Sequence, residues 1–250
     1  MEPVLNNNES NKREKTATDI IMHKDMALQK LNNLMSNYIS KPETMDKADK
    51  FAYWLEDYYR MLDFEPSFDS LFFKSYSRGD VIKVNLGYNI GNEEGGLHYC
   101  IVLDKFNSKK SGIITVIPLT SDKGKSLHFS EVNLGNEIYV NFTKKLENMR
   151  QTLTEKLIYI TSQKNNDNPS PKLLSEITKA TDLLQTLYKL RDELEKMKKG
   201  SIAMVNQITT ISKLRIYDPQ KTGDILSGIR ISDESLDLIN KKMKQLFIKN

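Results

Sequence analysis

The sequence predicts an α+β fold in which short strands are flanked by amphipathic helices. Three observations support this class. The segment Arg78–Thr120 contains one alternating strand and two apolar runs of strand length, and apolar residues recur at helical spacing in residues 16–63 and again in 143–199. With 250 residues, of which 38% are apolar, the chain can bury a core in one large or two small domains.

The N-terminal part predicts a tail followed by helices. Residues 1–15 are polar and rich in Asn, Glu and Lys, which is typical of a disordered tail. Residues 16–75 are predicted to hold two helices, with a break at Pro42, and a linker. The second helix has an aromatic-rich face that we expect to pack on the rest of the chain or on a partner protomer. The alternatives are that this face binds an inhibitor or stacks on bases.

The segment from Arg78 to Thr120 is predicted to carry the chemistry. The run VIKVNL alternates like a half-buried strand, whereas CIVL and GIITVIPL are nearly continuous apolar strands. Between the first two strands lies a loop in which Gly91, Gly95 and Gly96 permit positive φ and close backbone approach. Such a loop can cover a ligand while the next strand delivers a polar side chain at a fixed place.

Residues 143–199 predict a helical hairpin. The first helix contains LENMRQTLTEKLIYI, the run NNDNPSP is a strong break, and the second helix repeats apolar residues at near-heptad spacing. The simplest interpretation is an antiparallel helix pair that packs on itself, and partner binding is the open alternative. Gly200 is expected to end the second helix and return the chain to a strand.

Charge is unevenly divided along the chain. Residues 1–77 hold 10 basic and 13 acidic side chains, net −3, and residues 78–250 hold 27 and 20, net +7. A positive field of this size favours encounter with a polyphosphate, although lysine-rich helices are usually only solvated faces.

Cysteine and histidine usage argues against disulfides and metals. The single cysteine, Cys100, lies in an apolar strand, which predicts a buried thiol in a reducing compartment. The three histidines lack the spacing of metal ligands, so neither a metal nor another cofactor is expected. The chain shows no signal core and no apolar run of about 18 residues, which predicts a cytoplasmic protein without membrane contact.

Two sequence blocks carry a family resemblance. RGDV at Arg78–Val81, IGNEEGG at Ile90–Gly96 and VIPLT ending at Thr120 form the first block, and GSIAMVNQITTISKLRI at Gly200–Ile216 forms the second. In this order they resemble the MazF/PemK family of toxin ribonucleases. The resemblance implies a small SH3-like β-barrel of the MazF/CcdB type, built from residues 76–142 and 200–250 and closed by a C-terminal helix, with 143–199 as an inserted hairpin.

The same resemblance implies a function. Family members cleave single-stranded RNA by attack of its own 2′-hydroxyl, leaving a cyclic phosphate and a 5′-hydroxyl, without a metal. We therefore expect a bacterial endoribonuclease toxin of a toxin–antitoxin or phage-defence system, with single-stranded RNA as substrate, an antitoxin protein as partner and a homodimer as its usual state. The alternatives are a CcdB-like toxin that binds DNA gyrase and a non-catalytic RNA- or protein-binding barrel.

The resemblance also assigns roles to two catalytic candidates. His98 stands where the best-known members have an arginine followed by proline, and it would act as general base or general acid. Histidine titrates near neutral pH and is a weaker permanent cation than arginine, so the replacement bears on the mechanism more than on the fold. Thr120 would donate a hydrogen bond to a non-bridging phosphate oxygen.

The remaining candidates would shape the site or bind substrate. Glu93 would order the loop, and either Glu93 or Glu94 would orient His98. Gln207, in the family's Gln-Ile-x-Thr-Ile core, would support the site or contact bases. The other predicted loop and substrate-binding residues are Gly95 and Gly96 in the loop and Lys123 and Lys125 after Thr120, the lysines facing an RNA backbone.

Overall fold

A computed structural model describes residues 15–163, 170–197 and 200–249. The predicted tail, apart from Lys15, and most of the predicted break at 165–171 lie outside the described residues. By its internal contacts the chain divides into two compact units, Met1–Glu56 and Asp57–Asn250. The finer division into a barrel and an inserted hairpin remains a prediction.

The first unit is helical, as the sequence predicts, and its second helix continues past Glu56 into the second unit. Helix α1 spans Ala17–Ile39 and begins at a capping box, in which the hydroxyl of Thr16 accepts from the Asp19 amide at 3.2 Å. Helix α2 spans Pro42–Phe64, with its proline at the first helical position, where no intrahelical N–H is lost. None of the residues of α1 is buried.

The second unit is built on an antiparallel sheet. Its strands are β1 Tyr76–Ser77, β2 Val81–Asn85, β3 Leu97–Val102, β4 Phe106–Asn107, β5 Ile113–Ser121, β6 Glu131–Asn133, β7 Ser201–Met204, β8 Thr209–Ser212 and β9 Ile216–Asp218. The main sheet has the order β6-β7-β5-β3-β2-β9, with β8 paired to β5, and β1 pairs with β4 separately. The two apolar runs predicted as strands are β3 and β5.

Strand β5 divides one of its edges between two partners. Its residues Ile113–Val116 pair with β8, and Leu119–Ser121 pair with β7. Pro118, which has no N–H to give to a ladder, lies where the partner changes. A single helical turn, Val205–Gln207, joins β7 to β8 at the same place.

The predicted closed barrel is not seen. Strands β6 and β9 stand at the two ends of the sheet, and in the described part of the chain no pairing joins them. What the structure shows is a mixed α+β fold with a multi-stranded antiparallel sheet and helices.

Three helices complete the second unit: α3 Glu137–Ser162, α4 Pro171–Lys196 and α5 Asp233–Phe247. Helices α3 and α4 pack along each other, and the residues Leu173, Ala180 and Leu187, one heptad apart, are buried. Helix α3 begins earlier than the predicted residue 143. The last predicted helix is present as α5, capped by Ser232.

The sheet separates two apolar clusters. On one face, Ile101 and Ile117 pack with Ile138 of α3 and Leu190 of α4. The other face carries Cys100, whose thiol is fully buried, as predicted, and burial raises the pKa of that thiol. In the described ranges no helix combines the length and apolar character needed to span a bilayer.

Candidate active site

The Gly-rich loop between β2 and β3 is closed at its base by backbone hydrogen bonds. Gly96 N–H donates to Gly87 O at 2.7 Å, and Leu86 N–H donates to Gly96 O at 2.8 Å. A Cβ on Gly95 would lie 2.7 Å from Gly87 O, closer than side chains tolerate, and Gly96 has φ of +82°. These two glycines therefore permit the close backbone approach that the sequence predicts for this loop.

Gln207 holds the loop from the turn between β7 and β8. Its side-chain amide donates to Asn92 O at 3.0 Å and accepts from Glu94 N–H at 3.3 Å. Asn89 adds a bond from its side-chain amide to Glu94 O at 2.6 Å. Both the N–H and the carbonyl oxygen of Glu94 are thus hydrogen-bonded, and Gln207 contacts the loop directly.

His98 is held between a carbonyl and a carboxylate. On β3 it lies opposite Val84 of β2, its Nδ1 is 3.1 Å from Leu119 O, and its Nε2 is 3.0 Å from Oε1 of Glu94. A carbonyl oxygen only accepts, so Nδ1 carries a proton, and Nε2 faces the carboxylate of Glu94, which can accept a proton from it or give one to it. Both ring nitrogens of His98 therefore face an oxygen acceptor.

A cleft of about 600 Å³ opens beside the loop. Glu93, Glu94 and Gln207 line it together with Arg215, whose guanidinium donates to Leu86 O at 2.9 Å. Arg215 lies near the end of the second sequence block, in the basic run KLRI, which was the available signal for it. No role was predicted for Arg215, because only the fold brings it to the loop.

Lys213, the other cation of that run, points into the interior. It has no exposed surface, its ammonium group donates to Ser108 O at 2.8 Å, and it lies 5.4 Å from the ring centre of Tyr76. Burial lowers its pKa, an effect that the nearby Asp104 opposes. Lys213 thus cannot contact a ligand in the cleft.

Thr120 lies on the strand beside His98 but lines a different cavity. Continuing the register Cys100–Pro118 by two residues places His98 opposite Thr120. Thr120 borders a cavity of about 190 Å³ together with Tyr99 and Ser201. Within the described ranges its hydroxyl has no hydrogen-bond partner, and Thr120 does not line the larger cleft.

The two predicted RNA-binding lysines are exposed. Lys123 and Lys125 lie in the loop after β5, where Asp122 accepts from Gly124 N–H at 2.7 Å. The structure does not bring them into the cleft. Among the residues described, no three or more His, Cys, Asp or Glu side chains are grouped so that they could hold a metal ion.

Comparison with known proteins gives a family match for part of the chain. Residues 77–173 match the family described as PemK-like, MazF-like toxin of type II toxin-antitoxin system. No curated protein matches the chain. The matched segment contains the Gly-rich loop, His98 and Thr120, whereas Gln207 and Arg215 lie beyond it.

The resemblance seen in the motifs is therefore confirmed. The segment 77–173 of this chain is similar to PemK-like, MazF-like toxins. That family is one of toxins that act within type II toxin–antitoxin systems.

Proposed function

We propose that this chain is a toxin-type endoribonuclease that cleaves single-stranded RNA without a metal, where His98 meets Glu94 at the border of the cleft beside the Gly-rich loop. One observation carries the proposal: His98 is held between Leu119 O and the carboxylate of Glu94, inside a segment of the toxin family. A histidine and a carboxylate in contact form an acid–base pair, which this chemistry needs.

The reaction requires two proton transfers. As the 2′-oxygen of the RNA attacks phosphorus, its proton passes to the carboxylate of Glu94. As the bond from phosphorus to the 5′-oxygen breaks, the cationic ring of His98 gives its Nε2 proton to that oxygen. The products are a cyclic phosphate and a 5′-hydroxyl. The 3.0 Å contact between the two side chains then lets Glu94 return its proton to His98 and restore the starting state.

Charge and hydrogen bonds on the phosphate come from other elements. Arg215 supplies a fixed positive charge in the cleft, and the hydroxyl of Thr120 is proposed to donate to a non-bridging oxygen from the neighbouring strand. Lys123 and Lys125 would contact the RNA backbone farther along. Glu93, exposed at the cleft, would help order the loop around bound RNA.

The wider assignments follow from the family. We infer that the sheet has the SH3-like architecture of the MazF/CcdB type. In the described residues, its end strands β6 and β9 are not paired with each other. The proposed partners are a single-stranded RNA, an antitoxin protein and a second copy of the chain, in the cytoplasm of a bacterium.

Cleavage of a mixed-sequence single-stranded RNA in EDTA tests the proposal. We expect the wild-type protein to give cyclic phosphate and 5′-hydroxyl ends, and His98→Ala and Thr120→Ala to lose this activity. Growth arrest with intact RNA and trapped gyrase would instead indicate a CcdB-like toxin. Absence of both cleavage and toxicity would indicate a binding barrel without catalysis.

A further inference from the structure

Tyr99, the residue after His98, contacts both helices of the hairpin. Because side chains alternate along a strand, Tyr99 of β3 faces the opposite side of the sheet from His98. There its hydroxyl donates to the carboxylate of Glu193 on α4. Its ring packs edge-to-face on Phe142 of α3, with the ring centres 6.2 Å apart.

Glu193 also contacts β2, the strand paired with β3. It forms an ion pair with Lys83 of β2, which stands directly opposite Tyr99 in the β2–β3 register. The ammonium group of Lys83 lies 5.4 Å from the centre of the Tyr99 ring. The side chains of Lys83 and Glu193 are only 17% and 16% exposed, so removing one partner would leave a charge in a poorly solvated place.

The ionised state of Glu193 is favoured by these contacts. Burial raises the pKa of this carboxyl, but the hydrogen bonds from Lys83 and Tyr99 outweigh burial and leave the pKa below its ordinary value.

The backbone of His98 has support on only one side in the ladder. In the part of the chain that the structure describes, the pairing of β3 with β5 begins at Cys100, whereas His98 pairs with Val84 of β2 and follows the Gly-rich loop. Where a strand segment is paired with a neighbour on one side, its position depends more strongly on the contacts that its side chains make. The nearest such contact on the hairpin side is that of Tyr99.

We propose that the α3–α4 hairpin positions His98, with Glu193 and Tyr99 as positioning residues that act through strand β3. This inference rests on the proposed ribonuclease function for its kinetic consequence, but its structural consequence stands without that function. The hairpin would thus be part of the catalytic apparatus, although it touches neither RNA nor the reacting atoms.

Two conservative variants and one control test the proposal. Tyr99→Phe removes a single hydroxyl, and Glu193→Gln removes the charge at constant size. The control is Glu176→Gln, in the same hairpin, which loses ion pairs to Lys156 and Lys179 within the hairpin. The readouts are the NMR signal of the His98 ring, kcat and KM for RNA cleavage, and thermal stability.

In Tyr99→Phe and Glu193→Gln we expect the His98 signal to shift or broaden and kcat to fall roughly tenfold to a hundredfold with little change in KM. Glu176→Gln should change neither. Unchanged His98 signals and kcat in both test variants, even with a lower melting temperature, would reduce the hairpin to a stabilising element. A shifted His98 signal in a protein that cleaves no RNA would support the positioning and refute the proposed function.

Discussion

Glu94 Oε1 lies 3.0 Å from His98 Nε2, although Glu94 belongs to the Gly-rich loop and His98 to strand β3. On a regular strand, residues four positions apart would stand about 13 Å from each other. The bend at Gly96, with its positive φ, lies between the two residues and permits the contact. The Gly-rich loop therefore does more than cover the cleft, because its conformation delivers the carboxylate to the imidazole.

Replacing Glu94 by glutamine tests the proposed proton acceptor. An amide of the same size keeps the shape of the loop but cannot take the 2′-hydroxyl proton or stabilise a cationic His98. We expect kcat for RNA cleavage to fall roughly a hundredfold or more, while RNA binding changes little. Glu147→Gln, at an exposed site of α3, is the matched control and should behave like the wild type. Equal kinetics for both variants would remove Glu94 from the mechanism.

Substituting arginine for His98 tests whether this residue donates a proton or only supplies positive charge. A guanidinium keeps its charge but does not release a proton in proteins, so we expect kcat of His98→Arg to fall roughly a hundredfold while KM changes little. The measurement is kcat and KM for RNA cleavage by both proteins. Equal kcat values would mean that a fixed charge at this position is sufficient.

Gly95→Ala tests the loop itself. The added methyl would meet Gly87 O at 2.7 Å, so the base of the loop has to open and move Glu94 away from His98. We expect cleavage to fall roughly a hundredfold with little change in melting temperature, because the loop is at the surface. Gly223→Ala is the control, since no atom lies within 4 Å of a Cβ built there. Similar losses in both variants would contradict the role given to the loop.

The strands and the helical hairpin could be predicted because their signals are local. Alternation in VIKVNL, apolar runs of strand length and heptad spacing each report on neighbouring residues. The loop was found from its glycines for the same reason. Which of Glu93 and Glu94 contacts His98 could not be predicted, because that depends on the direction in which the loop turns.

The open sheet and the positions of the second block depend on distant contacts. Strand β5 shares one edge between β7 and β8, and no pattern within β5 reports this division. Lys213 and Arg215 lie in one helical turn, Lys213–Arg215, where one cation is buried and the other lines the cleft. Both are basic residues in the sequence, and only packing separates the buried cation from the one that lines the cleft.

Burial of Lys213 predicts a pH-dependent stability. Its pKa in the folded protein is lowered from the ordinary value, so below that pKa the folded state bears the whole cost of the buried charge. As pH rises through the folded-state pKa toward that of the unfolded chain, the folded state releases its proton first and the cost is relieved. The stability of the wild type should therefore rise relative to Lys213→Met between neutral pH and pH of about 10.

Urea unfolding of the wild type and Lys213→Met at several pH values measures this difference. Titration of groups distant from Lys213 contributes to both proteins and largely cancels in the comparison. Lys244→Met, at an exposed position in the last turn of α5, is the control, and its stability difference should stay constant with pH. A constant difference for Lys213→Met as well would mean that the ammonium group is as well stabilised by Ser108 O and the Tyr76 ring as by water.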